Sequence, residues 1–88
     1  MDENDWTGVP VIDARSLACP LPVLKARKAL AALPVGARLV VEATDPVVAI
    51  DIPHFCAEAG HRLVASERSD GLWRFLIEKG AGEKEAKT

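Results

Sequence analysis

Val9-Pro10-Val11-Ile12-Asp13-Ala14-Arg15-Ser16-Leu17-Ala18-Cys19-Pro20-Leu21-Pro22-Val23-Leu24-Lys25-Ala26-Arg27-Lys28-Ala29-Leu30 reads as a strand, a turn and a helix. Residues 9–14 form the strand, which the polar pair Arg15-Ser16 cuts off. Pro20 suits a first helical position, because its fixed φ is already helical and its missing N–H has no intrahelical partner to lose. Val23, Leu24, Ala26, Leu30 and Leu33 then make one broad apolar face, with Lys25 and Lys28 directed elsewhere. Pro34 and Gly36 stop the helix.

Beyond it, residues 38–43 are an apolar, β-branched run that predicts a second strand, and Thr44-Asp45-Pro46 is a helix-initiating cap. Pro53 complicates the next helix, since an interior proline costs about 3 kcal/mol. The expectation is a short turn over 47–50 and a fresh helix capped by Asp51, which places Pro53 in its first turn. Ile52, Phe55, Cys56 and Ala59 follow as one buried stripe, ended by Gly60. Residues 62–68 and 72–79 flank Ser69-Asp70-Gly71, where Asp-Gly signals a tight hairpin. The order β-α-β-α-β-β predicts an α+β two-layer sandwich: a four-stranded mixed sheet with two helices on one face. Val40 and Leu76 fall towards the uncovered face.

The chain has 88 residues, enough for one modest core. The expected division is a flexible start over 1–8, a single domain over 9–79 and a flexible tail over 80–88. A net charge of −2 gives no sign of a nucleic-acid or anionic-membrane binder. The acidic start Met1-Asp2-Glu3-Asn4-Asp5 is unlike a signal peptide, and no apolar run is long enough to span a bilayer. A cytoplasmic setting is therefore expected, where Cys19 and Cys56 stay reduced.

Cys19-Pro20-Leu21-Pro22 carries most of the chemical information. The residue before a proline is pushed into an extended conformation, which is the backbone an N-cap residue needs. Cys19 is thus expected as the cap, its sulfur facing the positive end of the helix dipole, which favours the thiolate. Pro20 and Pro22 remove two of the unpartnered N–H groups and leave those of Leu21 and Val23 as local donors. Arg15 would add positive potential. There is no second cysteine at redox spacing, and neither His54 nor His61 is marked as a base for Cys19. A nucleophile without such machinery suits a covalent carrier in a relay better than a stand-alone enzyme.

Cys56 reads as a core residue. Cys56, His54 and His61 lack the convergence of zinc-ligand pairs, so neither metal nor cofactor is expected. Lys25 and Lys28, with Arg27, are either a solvated face or a docking patch for an acidic partner. Arg27 falls within the apolar arc and should lay its stem over the core edge. Two other functions remain as rivals: a non-catalytic regulatory or RNA-binding module, and a thiol redox sensor. The first lacks base-stacking aromatics, which make up 5% of the chain, and the second wants a resolving thiol.

The segment from Asp13 to Leu30, with its Cys-Pro-x-Pro core, strongly resembles the signature of the TusA/SirA-like sulfur-carrier family. Asp45-Pro46, Asp51-Ile52-Pro53-His54-Phe55-Cys56 and the closing hairpin are similar to that family as well. The resemblance spans about residues 9–79 and implies a persulfide on Cys19. It implies a sulfur donor of cysteine desulfurase or rhodanese type and an acceptor protein, with no direct nucleic-acid contact. The sulfur would then serve tRNA thiolation, molybdenum-enzyme maturation or sulfur oxidation. Two positions depart from the pattern: Leu21 stands where many tRNA-pathway members have Glu, and Ser16 where Gly is common.

Overall fold

Arg38–Ala43 forms the strand on which the sheet is organised, with Leu39, Val41 and Ala43 directed into the core. The computed structural model describes residues 6–81, so residues 1–5 and 82–88 of the two expected flexible ends lie outside the described part. The elements are β1 (Val11–Ala14), α1 (Leu21–Ala31), β2 (Arg38–Ala43), α2 (Val48–Ala59), β3 (Arg62–Ser69) and β4 (Leu72–Glu78). This is the expected order, and the sheet runs β1-β2-β4-β3. β1 lies parallel to β2, while β4 is antiparallel to both β2 and β3, which makes the sheet mixed.

Alternation along the strands separates the two sheet faces. Leu39, Val41, Ala43, Phe75 and Ile77 pack with Ala26, Leu30, Val48, Ile52, Phe55 and Cys56 of the helices. On the other face Val40 pairs with Leu76, and both are buried. Cross-strand ion pairs flank them: Arg38 and Arg62 reach Glu78 at 3.5 and 2.6 Å, and Arg74 reaches Glu42 at 3.2 Å. The guanidinium of Arg74 also lies 5.0 Å over the ring of Trp6, so the chain ahead of β1 touches this face.

The Asp-Gly hairpin forms as expected, with Ser69 opposite Leu72 and positive φ at Asp70 (51°) and Gly71 (79°). That pair of left-handed residues matches the twist of the flanking strands. β3 carries one irregularity, a register shift between Leu63 and Ala65. At the C-terminal end of α2, Gly60 adopts a left-handed cap, and a methyl group on Gly80 would overlap its carbonyl oxygen.

Both helices differ from expectation in detail. In α1 the buried residues are Pro22, Ala26 and Leu30, whereas Leu24 is 51% exposed. The buried stripe therefore begins one residue earlier than the apolar letters suggest and passes by Leu24, with Pro22 turned inward. α2 is continuous from Val48, with Pro53 inside it, and is not a turn followed by a fresh start at Asp51. Its first turn is tightened by bonds from Val48 N to Asp45 O, Ala49 N to Pro46 O and Ile50 N to Val47 O. Val48, Ile52, Phe55 and Cys56 form a single buried stripe. Each such side chain contributes roughly 1.5–3 kcal/mol on burial, which together outweighs the proline's cost.

Candidate functional site

The chain between β1 and α1 is tied down residue by residue. Ser16 N donates to Thr44 Oγ1 at 2.9 Å, Leu17 N to Ala14 O at 3.3 Å, and Leu21 N to Ala18 O at 2.9 Å. Ser16 holds a positive φ of 68°, a conformation that glycine adopts more readily. Cys19 follows, half-buried, with a cis peptide bond to Pro20.

Two aspartates from the β2–α2 region close on Cys19. Asp45 accepts from Cys19 N at 2.9 Å with one carboxylate oxygen and from Val47 N at 3.0 Å with the other. Those two amides, Val47 first, hold its carboxyl below the usual range. Asp51, in the first turn of α2, accepts a hydrogen bond from Cys19 Sγ at 2.7 Å. The thiol is pushed up to about 11, first by burial, then by the bond to Asp51 and by the negative charges of Asp51 and Asp45.

This geometry corrects the sequence reading of the sulfur. The α1 N-cap position is Pro20, so Cys19 lies one residue outside the helix. The N–H of Leu21 is spent on Ala18 O and does not serve the sulfur. Arg15 makes a two-pronged ion pair with Asp13, at 2.8 and 3.0 Å, and holds that carboxyl down at about 2. Burial and two carboxylates, not an arginine, are what shift the thiol. The resting thiol is therefore protonated at neutral pH.

The other expected residues are distributed around this point. Pro20 is exposed beside Cys19, while Pro22 is buried under α1. Leu21 is 47% exposed at the first position of the helix. Lys25 donates to Asp13 O at 2.8 Å, and Lys28 is exposed in the last turn. Arg27 places its guanidinium 4.9 Å over the Phe55 ring, as its position in the apolar arc suggests. Cys56 is buried, and burial pushes its thiol up to about 11. His54 faces Glu58 at 3.5 Å, and His61 Nδ1 accepts from Gly80 N at 3.0 Å.

A family model described as sulfurtransferase TusA matches residues 11–79. The chain belongs to this family. The crystal structure of a SirA-like protein from Desulfitobacterium hafniense is similar at a TM-score of 0.72 and 27% identity. That match covers 82% of this chain and 99% of the other. The TusA-family sandwich and its element order are thus those read from the sequence. No helix among the described residues is long and apolar enough to cross a membrane.

Asp45 and Asp51 are the site residues that sequence reasoning misassigned. Both stand in a segment already similar to the family, yet each was read as a helix cap. The available signal is chemical: two acids close together in a stretch that the resemblance covers beside Cys-Pro-x-Pro.

Proposed function

We propose that this TusA-family protein is a sulfur carrier that holds a persulfide on Cys19. The observation that carries the reading is the placement of Cys19: a partly accessible thiol at a rigid loop–helix junction, held by backbone and side-chain bonds from α2 and the turn before it. A group attached there is presented at one defined point. Cys56 is buried in the core, which suits a packing role and not that of a resolving thiol.

Carriage requires two partners: a donor of cysteine desulfurase or rhodanese type, and an acceptor protein in tRNA thiolation, molybdenum-enzyme maturation or sulfur oxidation. A cytoplasmic setting fits a free thiol that must stay reduced between transfers. Leu21 and Leu24 at the start of α1, and Val47 and Ile50 at the start of α2, are each at least 45% exposed. They belong to the two helix starts that the Cys19–Asp51 contact joins, which supports a partly apolar docking surface around the sulfur. Lys25 and Lys28 would add charge to its edge.

Incubation with a cysteine desulfurase and cysteine, followed by intact-mass spectrometry, tests the reading. The wild type gains one sulfur atom that a reductant removes, and Cys19→Ser gains none. A wild type that never gains sulfur, or a Cys19→Ser variant that still does, refutes it.

A further inference from the structure

The contact between Cys19 and Asp51 poses a chemical problem. A thiol raised to about 11 is ionised to roughly one part in ten thousand at neutral pH, yet the thiolate is the nucleophile. The same Asp51 oxygen that receives the thiol's hydrogen bond lies 2.7 Å from Sγ, within direct proton-transfer reach. Asp51 is itself anchored, since its N–H donates to Val47 O at 3.0 Å in the first turn of α2. Asp45 fixes the backbone of Cys19 from the other side through the 2.9 Å bond to its N–H. Sulfur and carboxylate are therefore held in register by two separate attachments. Arg15 and Lys25 are both engaged with Asp13, the first through its carboxylate and the second through its carbonyl oxygen. His54 and His61 are directed to Glu58 and Gly80.

We infer that Asp51 is the base that takes the Cys19 proton as sulfur is loaded and returns it to the departing thiol. This rests on the carrier reading of Cys19. The reactants are the Cys19 thiol and a donor persulfide, R–S–SH. The Sγ–H proton moves to Asp51 Oδ2 as Sγ attacks the terminal sulfur of the donor. The Sγ–S bond forms and the donor's S–S bond breaks, its electron pair leaving with RS⁻. The protonated Asp51 then gives its proton to RS⁻. The products are Cys19–S–SH and RSH, with the sulfane sulfur transferred and no external oxidant or reductant needed.

The two roles open to Asp51 predict opposite results. If it only restrains the thiol by charge, Asp51→Asn frees more thiolate and loading becomes faster. If it is the base, Asp51→Asn lowers the pKa of Cys19 and yet slows loading.

The test uses the full chain with glutathione persulfide as donor, so that no protein docking step intervenes. Loading at neutral pH is followed by mass spectrometry, and the Cys19 pKa by NMR of its β-carbon. Asp51→Asn is expected to shift the thiol titration to lower pH and to slow loading by about 10²-fold. Asp51→Glu keeps a carboxylate and recovers a large part of the rate. Loading by Asp51→Asn at or above the wild-type rate overturns the assignment and leaves the carrier reading intact. A Glu variant no faster than the Asn variant overturns it as well. Failure of the wild type to load on Cys19 at all overturns the carrier reading instead.

Discussion

Asp45 bridges two chain segments with a single carboxylate: one oxygen accepts from Cys19 N at 2.9 Å, the other from Val47 N at 3.0 Å. The residue that holds the turn before α2 therefore also fixes the backbone under the thiol, 26 positions away in sequence. Position of the sulfur and formation of the second helix are coupled through this one side chain.

Replacing Asp45 by Ala releases both amides at once. Each of these bonds is worth about 0.5–1.5 kcal/mol, and more where the acceptor is charged. Urea denaturation should show Asp45→Ala less stable by about 1–3 kcal/mol, and Asp45→Asn by less, since its amide oxygen still accepts. Equal losses in the two variants would show that the carboxylate's charge, not its bridging, matters.

What the sequence made legible follows from range. β2, the Asp-Gly hairpin and the helix after Cys19 rest on neighbours within a few residues, and these were readable. In α2 the local penalty at Pro53 outweighs, on sequence alone, the burial of Val48, which carries the expected stripe of Ile52, Phe55 and Cys56 back through the proline. Leu24 misled because apolar letters do not say where the stripe is centred; burial of Pro22 moved it. The Cys19–Asp51 contact spans 32 positions, and no local pattern encodes it. Reading Cys19 from its neighbours alone consequently gave the wrong direction for its proton affinity.

Ser16 carries a strained backbone, with φ at 68°. A non-glycine residue in that region costs about 1–2 kcal/mol, whereas glycine pays about 0.5–1 kcal/mol in chain entropy. The Ser16 contact made through its backbone N–H to Thr44 Oγ1 survives substitution. Ser16→Gly should thus raise the stability by up to about 1 kcal/mol. Thermal unfolding checks this, and a clear drop in Tm would mean the serine side chain has a role of its own.

Lys79 closes the far end of α1: its Nζ donates to Leu30 O at 2.7 Å and to Leu33 O at 3.0 Å. These carbonyls lie at the helix C-terminus, where a cation also meets the negative end of the dipole. Lys79→Met keeps the aliphatic stem and removes both bonds, with an expected loss of about 1–3 kcal/mol by urea denaturation. Lys79→Arg should retain most of the stability. If methionine is tolerated without loss, water replaces the ammonium group at no cost.

Cys56 gives the chain an alkaline weakness. Burial raises its thiol from an ordinary value near 9 to about 11, so the folded state holds a proton that the unfolded chain releases. The resulting stability is fully present below about pH 9 and is lost as pH rises through about 11. A shift of this size corresponds to about 3 kcal/mol. Cys19 is also pushed up to about 11, so the comparison must be with Cys56→Ala, which lacks only this group. At neutral pH the variant is the less stable of the two, because it has lost a buried sulfur. Near pH 11 the wild type loses its thiol contribution while the variant has none to lose, so the gap in urea midpoint narrows. A gap that stays constant or widens with pH would mean the Cys56 thiol ionises inside the folded core as readily as outside it.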